Sequence, residues 1–204
     1  MVVASLPRRL KKVGPRVRIV AGKHRGRRLE APTGRDVRPT SDRTRQSLFN
    51  ILTHGDWMED GSDPLQGADI LDAFCGTGAL ALEALSHGAA RAALLDKARS
   101  SLDIARRNAE MLGEGANCRF ILGDAAAPPP APFAARLAFL DAPYGRDLSP
   151  PALCGLSRTG WLAPGALVCV EVGVEDGFAA PSGFEPLDER DYSQARIHFL
   201  RHLG

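Results

Sequence analysis

From residue 68 onward the chain alternates between short apolar runs and amphipathic stretches. The run ADILDAF (68–74) predicts a strand, and GALALEALSHG (78–88), closed by Gly88, predicts a helix. RAALLD (91–96) predicts the next strand, and ARSSLDIARRNAEMLG (98–113) a helix with apolar residues at helical spacing and a glycine stop. CRFILGD (118–124) and LAFLD (137–141) predict two more strands, separated by a Pro/Ala-rich linker. A helix is expected within SPPALCGLSRTGWL (149–162) and a strand at ALVCVEV (166–172). FEPLDERDY (184–192) and ARIHFLR (195–201) predict a closing antiparallel pair. Strands alternating with helices imply an α/β fold, with seven strands in a mostly parallel sheet covered on both faces. In such sheets ligands bind beyond the carboxyl ends of the strands, near the switch in strand order.

The first third reads differently. RIVAGKHRGRRLEAP (18–32) predicts two short strands around a glycine-containing turn, a small basic β-hairpin. RPTSDRTRQSLFNIL (38–52) predicts a helix: Pro39 precedes it, Thr40 or Ser41 can cap it, and Leu48, Ile51 and Leu52 recur on one face. The expected organisation is a disordered basic tail (1–15), a nucleic-acid-binding hairpin and helix (16–52), a polar Gly/Asp linker (53–68) and a catalytic domain (69–204). No internal repeat is evident.

Charge sharpens this division. Residues 1–50 hold 14 Lys or Arg against three Asp or Glu, whereas the other 154 hold 12 against 21. A basic head on an acidic body points to a polyanionic partner, a nucleic acid. If the head touches about six phosphates, log K should fall with log salt at a slope near −5. Removing residues 1–28 is then expected to abolish RNA activity and leave the body's ligand site intact. His24 lies among these arginines as either an RNA contact or a surface histidine, and Trp57 and Trp161 read as packing residues.

No apolar run reaches membrane-spanning length, so no membrane partner is expected. The N-terminus lacks the apolar stretch of a secretory signal, though its basic character leaves a transit peptide open. Cys75, Cys118, Cys154 and Cys169 form no C-x-x-C pair and read as reduced thiols in a cytoplasmic protein without structural metal. Nothing in the pattern calls for more than a monomer.

Four predicted strands close on an acid: Asp72, Asp96, Asp124 and Asp141. A single Asp there is usually a turn or cap residue. Four on parallel strands share one rim, and are expected to line one crevice. The first loop, DAFCGTGALA, carries Gly76 and Gly78 between a strand and a helix, and Asp96 falls 20 residues after Gly76. That spacing also fits a dinucleotide fingerprint. A carboxylate at Asp72 would repel a pyrophosphate seated on this loop. S-adenosylmethionine has no phosphate and carries a sulfonium and an ammonium. Asp72 could attract that cationic part, directly or through water, while Asp96 holds the ribose diol and Asp124 the adenine amine. The candidate cofactor residues are Asp72, Phe74, Gly76, Gly78, Asp96, Lys97, Asp124 and Ala125.

The fourth strand ends in AFLDAPYG (138–145). An exocyclic amine on a base is a poor nucleophile, because its lone pair is delocalised into the ring. The Asp141 carboxylate and the Ala142 carbonyl could grip its two N–H bonds, Pro143 could stiffen the turn, and Tyr144 could stack on the base. Asp141, Pro143 and Tyr144 are the candidate catalytic residues.

These segments together resemble a known family. RIVAGKHRGRRLEAP, RPTSDRTRQSLFNIL, LDAFCGTGALALEALSHGAA and LAFLDAPYG followed by GWLAPGALVCVEV are similar to the bacterial 16S rRNA guanine-N2 methyltransferases called RsmD, over roughly residues 16–201. The resemblance implies a Rossmann-like class I S-adenosylmethionine-dependent methyltransferase. Its substrate would be one guanine, conventionally 966, in a small-subunit rRNA loop on an assembled or nearly assembled particle. It also implies RNA contacts, or closure over the site, by the basic head; the candidates there are Arg18, Lys23, Arg25, Arg27, Arg28, Arg38 and Arg43. Two departures stand out. Ala142 replaces a proline of the family motif, and AAAPPPAPFAA (125–135) cannot form the helix that usually follows Asp124. Methylation of another RNA or DNA base amine is the alternative, followed by a non-catalytic RNA-binding module. A nicotinamide oxidoreductase is disfavoured by Asp72 and by the lack of a convincing catalytic His or Tyr-Lys pair.

Overall fold

A computed structural model describes residues 17–32 and 42–204. Seven strands form one sheet: β3 (Asp69–Ala73), β4 (Arg91–Asp96), β5 (Cys118–Leu122), β6 (Ala135–Asp141), β7 (Leu162–Gly173), β8 (Phe184–Tyr192) and β9 (Ala195–His202). Their order is β5-β4-β3-β6-β7-β9-β8. β9 alone runs against β7 and β8; the others are parallel. The order switches direction at β3 and β6, which are hydrogen-bonded neighbours, so their carboxyl ends meet at the crevice position. The predicted sheet is therefore present, with its one antiparallel strand.

Strand alternation sends side chains to two separate cores. One contains Ile70, Leu94, Leu137, Phe139, Cys169 and Phe199, covered by α1 (Asp42–His54), α2 (Ala79–Ser86) and α3 (Arg99–Leu112). The other contains Leu71, Leu95, Leu140, Val168 and Leu200, covered by α4 (Ser149–Arg158) and the buried Trp161. α3 shows why such helices seat. Leu102, Ala105, Ala109 and Leu112 recur at intervals of three and four residues and are the buried stripe of an otherwise polar helix. Among the described residues no helix is long and apolar enough to cross a membrane.

The basic hairpin is shorter than its pattern predicts. β1 (Val17–Arg18) and β2 (Arg28–Leu29) pair over two residues each, with a 3-10 turn at Gly22–His24 between them. It is anchored, not loose. Val17, Ile19 and Leu29 enter the first core, and the buried Glu83 carboxylate of α2 accepts the Val20 and Ala21 N–H groups at 2.9 and 2.8 Å. Trp57 stacks on Phe199 and Leu65 is fully buried, so the segment between α1 and β3 is packed along the sheet. Pro39, Thr40 and Ser41, read as the start of the helix, and the tail before residue 17 lie outside the described residues.

Candidate active site

Beyond β3 the chain turns sharply. Phe74, Gly76 and Gly78 adopt φ of 68°, 52° and 76°. Such values favour glycine, and at Gly78 a side chain is also excluded: a Cβ would stand 2.9 Å from Leu94 Cδ2 and 3.1 Å from Ala105 Cβ. The glycine therefore lets α2 start against β4 and α3. Phe74 holds its positive φ with a bulky side chain, a strained conformation of the kind found where a loop serves a ligand. A hollow opens beside it, lined by Phe74, Leu95, Asp96, Lys97, Gly123, Asp124, Ala125, Ala126 and Leu148. Of the predicted cofactor residues, Phe74, Asp96, Lys97, Asp124 and Ala125 line it. Gly76 is tied to it through Asp96, whereas Asp72 and Gly78 belong to the strand end and turn behind it. Its walls mix apolar and acidic groups, as an aromatic base with a polar edge requires.

The four acids do not stand in register. Asp96 ends β4 and bridges two loops, accepting the Gly76 N–H at 3.0 Å and the Ala98 N–H at 2.8 Å. Asp124 lies past the end of β5, exposed, and caps its own turn at the Ala126 N–H, 2.9 Å away. Asp141 ends β6, part-exposed. Asp72 precedes the last residue of β3 and is 1% exposed, and its carboxylate accepts the Ala81 N–H of α2 at 3.0 Å. Three acids edge the crevice and the fourth lies under it. Burial pushes the Asp72 carboxyl up to about 8 against the pull of the Ala81 hydrogen bond, with Asp141 and Asp96 raising it further. Burial thus works against a standing charge at Asp72, so the group holds its proton more readily than an exposed acid on the rim would. A cation would draw the proton off; an anion would not.

Asp141 sits beside an acid that the strand pattern does not single out. In the parallel pairing of β6 and β7 its partner in register is Glu171, and both lie on the face of Phe139 and Cys169. Glu171 is buried and accepts a hydrogen bond from the Tyr144 hydroxyl. A lone carboxylate inside the apolar run ALVCVEV was the available signal. Ala142 is buried, while Pro143 and Tyr144 are exposed.

The basic residues divide into two groups. Arg18 pairs with Asp42 at 3.1 Å, Lys23 pairs with Glu114 at 2.7 Å, and Arg27 donates to the Met111 carbonyl at 2.9 Å. His24, the ambiguous histidine, also bonds Glu114, at 2.6 Å. Arg25, Arg28 and Arg43 are exposed. The hairpin tip docks at the carboxyl-terminal ends of α2 and α3, against Ser86 and Glu114. The glycine loop and the strand-end acids stand at the other ends of those helices, about 12 and 21 Å of helix away at 1.5 Å per residue. Lys23, Arg25 and Arg27 are therefore not brought together with Asp141. Arg38 lies outside the described residues.

The Pro/Ala segment after Asp124 is no slack linker. Its Ala125 is buried, its Pro129 carbonyl accepts the Trp161 Nε1–H at 2.8 Å, and Phe133 lies under the Arg91 guanidinium at 4.2 Å. It lies so close to α4 that a Cβ on Gly155 would meet the Ala126 oxygen at 2.4 Å. The turn that opens this segment walls the hollow with Asp124, Ala125 and Ala126, and the prolines follow beyond it.

Comparison with known proteins fits this geometry. The family described as conserved hypothetical protein 95 matches residues 17–201, spanning hairpin, crevice and the last strand. The chain belongs to this family. A curated relative, ribosomal RNA small subunit methyltransferase D of Escherichia coli strain K12, is 37% identical over 167 residues, 79% of this chain and 77% of that one. The Haemophilus influenzae protein of the same name is 29% identical, covering 85% and 88% of the two chains. The solved structure of the Escherichia coli protein yhhF aligns with a TM-score of 0.77 and 31% identity over 93% of this chain and 99% of that one. Like its relatives of known structure, this conserved hypothetical protein 95 family member has a Rossmann-like sheet, and the N-terminal hairpin falls within the family's span.

Proposed function

We propose that this chain transfers a methyl group from S-adenosylmethionine to the N2 amine of a guanine in a loop of 16S rRNA, on an assembled or nearly assembled small subunit. The observation that carries the reading is the meeting of two motifs at the switch in strand order: the glycine loop after β3 and Asp141-Ala142-Pro143-Tyr144 after the adjacent β6. The methyltransferase D relatives, alike over more than three quarters of the chain, supply the substrate class.

The residues present fit the cofactor. The hollow beside Phe74 suits adenine, with Asp124 at its polar edge. Asp96 retains lone pairs for a ribose diol beyond the two N–H groups it already accepts. Asp72, beneath the loop, would favour the ammonium and sulfonium end through its charge once it gives up its proton. When bound, S-adenosylmethionine supplies an electrophilic methyl group. The protein's part is positioning. Asp141 and the Ala142 carbonyl accept the two N–H bonds of the guanine amine and aim its lone pair. Pro143 restricts the backbone so that both acceptors hold their direction, and Tyr144 covers the base. The methylated ammonium is strongly acidic, so the Asp141 carboxylate or water takes its proton. Extruding the base costs least in a loop, which places the target there.

Incubation of the protein with labelled methyl donor and small subunits, naked rRNA or DNA tests the reading. Label in small-subunit rRNA is expected; label confined to DNA would overturn it.

Asp72 gives a pH signature. Its carboxyl, raised from 3.8 to about 8, must lose its proton to face a cation. Cofactor affinity should therefore rise by up to about tenfold per pH unit toward about pH 8 and then level off, and Asp72→Asn should flatten the profile. Calorimetric titration across that range checks this, and a flat wild-type profile would contradict it. The same linkage acts on stability. Between about pH 4 and 8 the folded chain holds one more proton at this site than the unfolded chain, so the contribution of Asp72 to stability falls as pH rises through that window.

The head supplies sequence-independent affinity by neutralising phosphates. Replacing Arg25 and Arg28 with glutamine should reduce the magnitude of the salt slope of RNA binding by about 1.4 to 1.8, at roughly 0.7–0.9 for each phosphate no longer neutralised. Fluorescence anisotropy at several salt concentrations measures it, and an unchanged slope would remove both residues from the interface.

A further inference from the structure

The end of β7 and the turn after it grip the β6 loop at three points. The Glu171 carboxylate accepts the Tyr144 hydroxyl. The Asp176 Oδ2 accepts the Gly145 N–H at 2.9 Å and the Gly173 N–H at 3.2 Å, tying the two loops together. Gly173 lies under the ring: a Cβ there would stand 3.4 Å from Tyr144 Cδ2 and 2.8 Å from Asp176 Oδ2. Despite these contacts Tyr144 stays 44% exposed, so much of its surface remains available to a ligand. Burying a carboxylate at Glu171 is costly, and a surface tyrosine needs no such partner. The bond gives an otherwise exposed ring a fixed orientation.

We propose that Glu171 is a positioning residue for the target base, fixing the Tyr144 ring through its hydroxyl while Asp176 locks the backbone beside it. This rests on the methyltransferase reading of Asp141 and Tyr144. An anchored ring is a preformed wall for the base, and binding then need not freeze a swinging side chain. Because Glu171 and Asp141 are partners in register, the wall and the amine acceptor are fixed to each other through the sheet.

The test uses the full chain with small subunits and labelled methyl donor. Tyr144→Phe and Glu171→Ala should each raise the KM for subunits by about tenfold, the worth of one hydrogen bond to a charged group, with kcat changed less. The double variant should be no worse than either single one, since both remove the same bond. Glu171→Gln keeps an acceptor oxygen and should stay within about threefold of wild type. Multiplicative losses, or a silent Tyr144→Phe, would overturn the proposal.

A second readout does not need activity. The chain has two tyrosines, Tyr144 and Tyr192, so fluorotyrosine labelling gives two 19F resonances. Glu171→Ala should narrow one resonance and shift it toward free fluorotyrosine, and Glu171→Gln should do so less. An unchanged spectrum would overturn the anchor even in an active enzyme. An inactive wild type with the expected spectral change would instead sink the function assigned above.

Discussion

Replacing Asp141 with alanine should lower methyl transfer by roughly 10² or more while leaving cofactor affinity nearly unchanged. The size follows from what the side chain does in the proposed reaction. It accepts an amine N–H and aims a delocalised lone pair, and losing a positioned acid–base group typically costs 10²–10⁴. The separation of effects follows from place. Asp141 ends β6, whereas the hollow proposed to take the cofactor is lined mainly by the loops after β3, β4 and β5, with Leu148 from beyond β6. Single-turnover kinetics with small subunits, alongside calorimetry with the cofactor, distinguishes the two. Equal loss of binding and transfer would mean that Asp141 belongs to the cofactor site. Asp141→Asn, which keeps one acceptor oxygen, should fall between alanine and wild type.

The second large effect is on folding. Glu83→Ala should destabilise the protein by about 3–5 kcal/mol, the usual cost of removing one partner from a buried ion pair. Glu83 is fully buried in α2; its Oε2 lies 3.5 Å from Arg45 Nε, and its two oxygens accept the Val20 and Ala21 N–H groups. Arg45 is equally buried and donates to the Arg18 carbonyl at 2.6 Å and to Asp42 at 2.7 Å. One carboxylate thus joins hairpin, α1 and α2. Burial raises its pKa while the two backbone N–H groups and Arg45 pull it down, so the charged form depends on those partners. Urea unfolding measures the loss, and a change under about 1 kcal/mol would mean that the hairpin is not docked through this group. The same contacts revise the expectation for removing residues 1–28. That truncation strips Val17 and Ile19 from the main core along with the partners of Glu83, so it should weaken the whole fold as well as RNA binding. Substitutions at exposed Arg25 and Arg28 isolate the RNA contribution.

Much of this molecule was legible in the chain because local pattern and fold agree. RAALLD is β4 residue for residue, and the stop after EML is Gly113, at φ 78°, closing α3. Asp96 could be placed opposite the glycine loop from spacing alone, and its bond to the Gly76 N–H puts it there. What escaped has a common cause. Alternation gives the face on which a side chain lies and not its depth, so Asp72 read as a rim charge although it lies beneath the loop. Glu171 was hidden in an apolar run because its importance comes from a neighbouring strand, 30 residues away from Asp141 in the chain. The docking of the hairpin tip depends on contacts such as His24 with Glu114, 90 residues apart, which no local period encodes. The proline segment after Asp124 looked like a spacer because its order comes from Trp161 and α4.

The central claim is that Asp141 presents one guanine amine to a methyl donor held on the glycine loop. The measurement that bears on it most directly is mass mapping of 16S rRNA from cells lacking this protein beside the same RNA from cells that have it. The account predicts that one guanine, in a loop, loses a single methyl group and that the wild-type gene restores it, while the Asp141→Ala gene does not. An rRNA whose methylation is unchanged by the loss of the protein would contradict it.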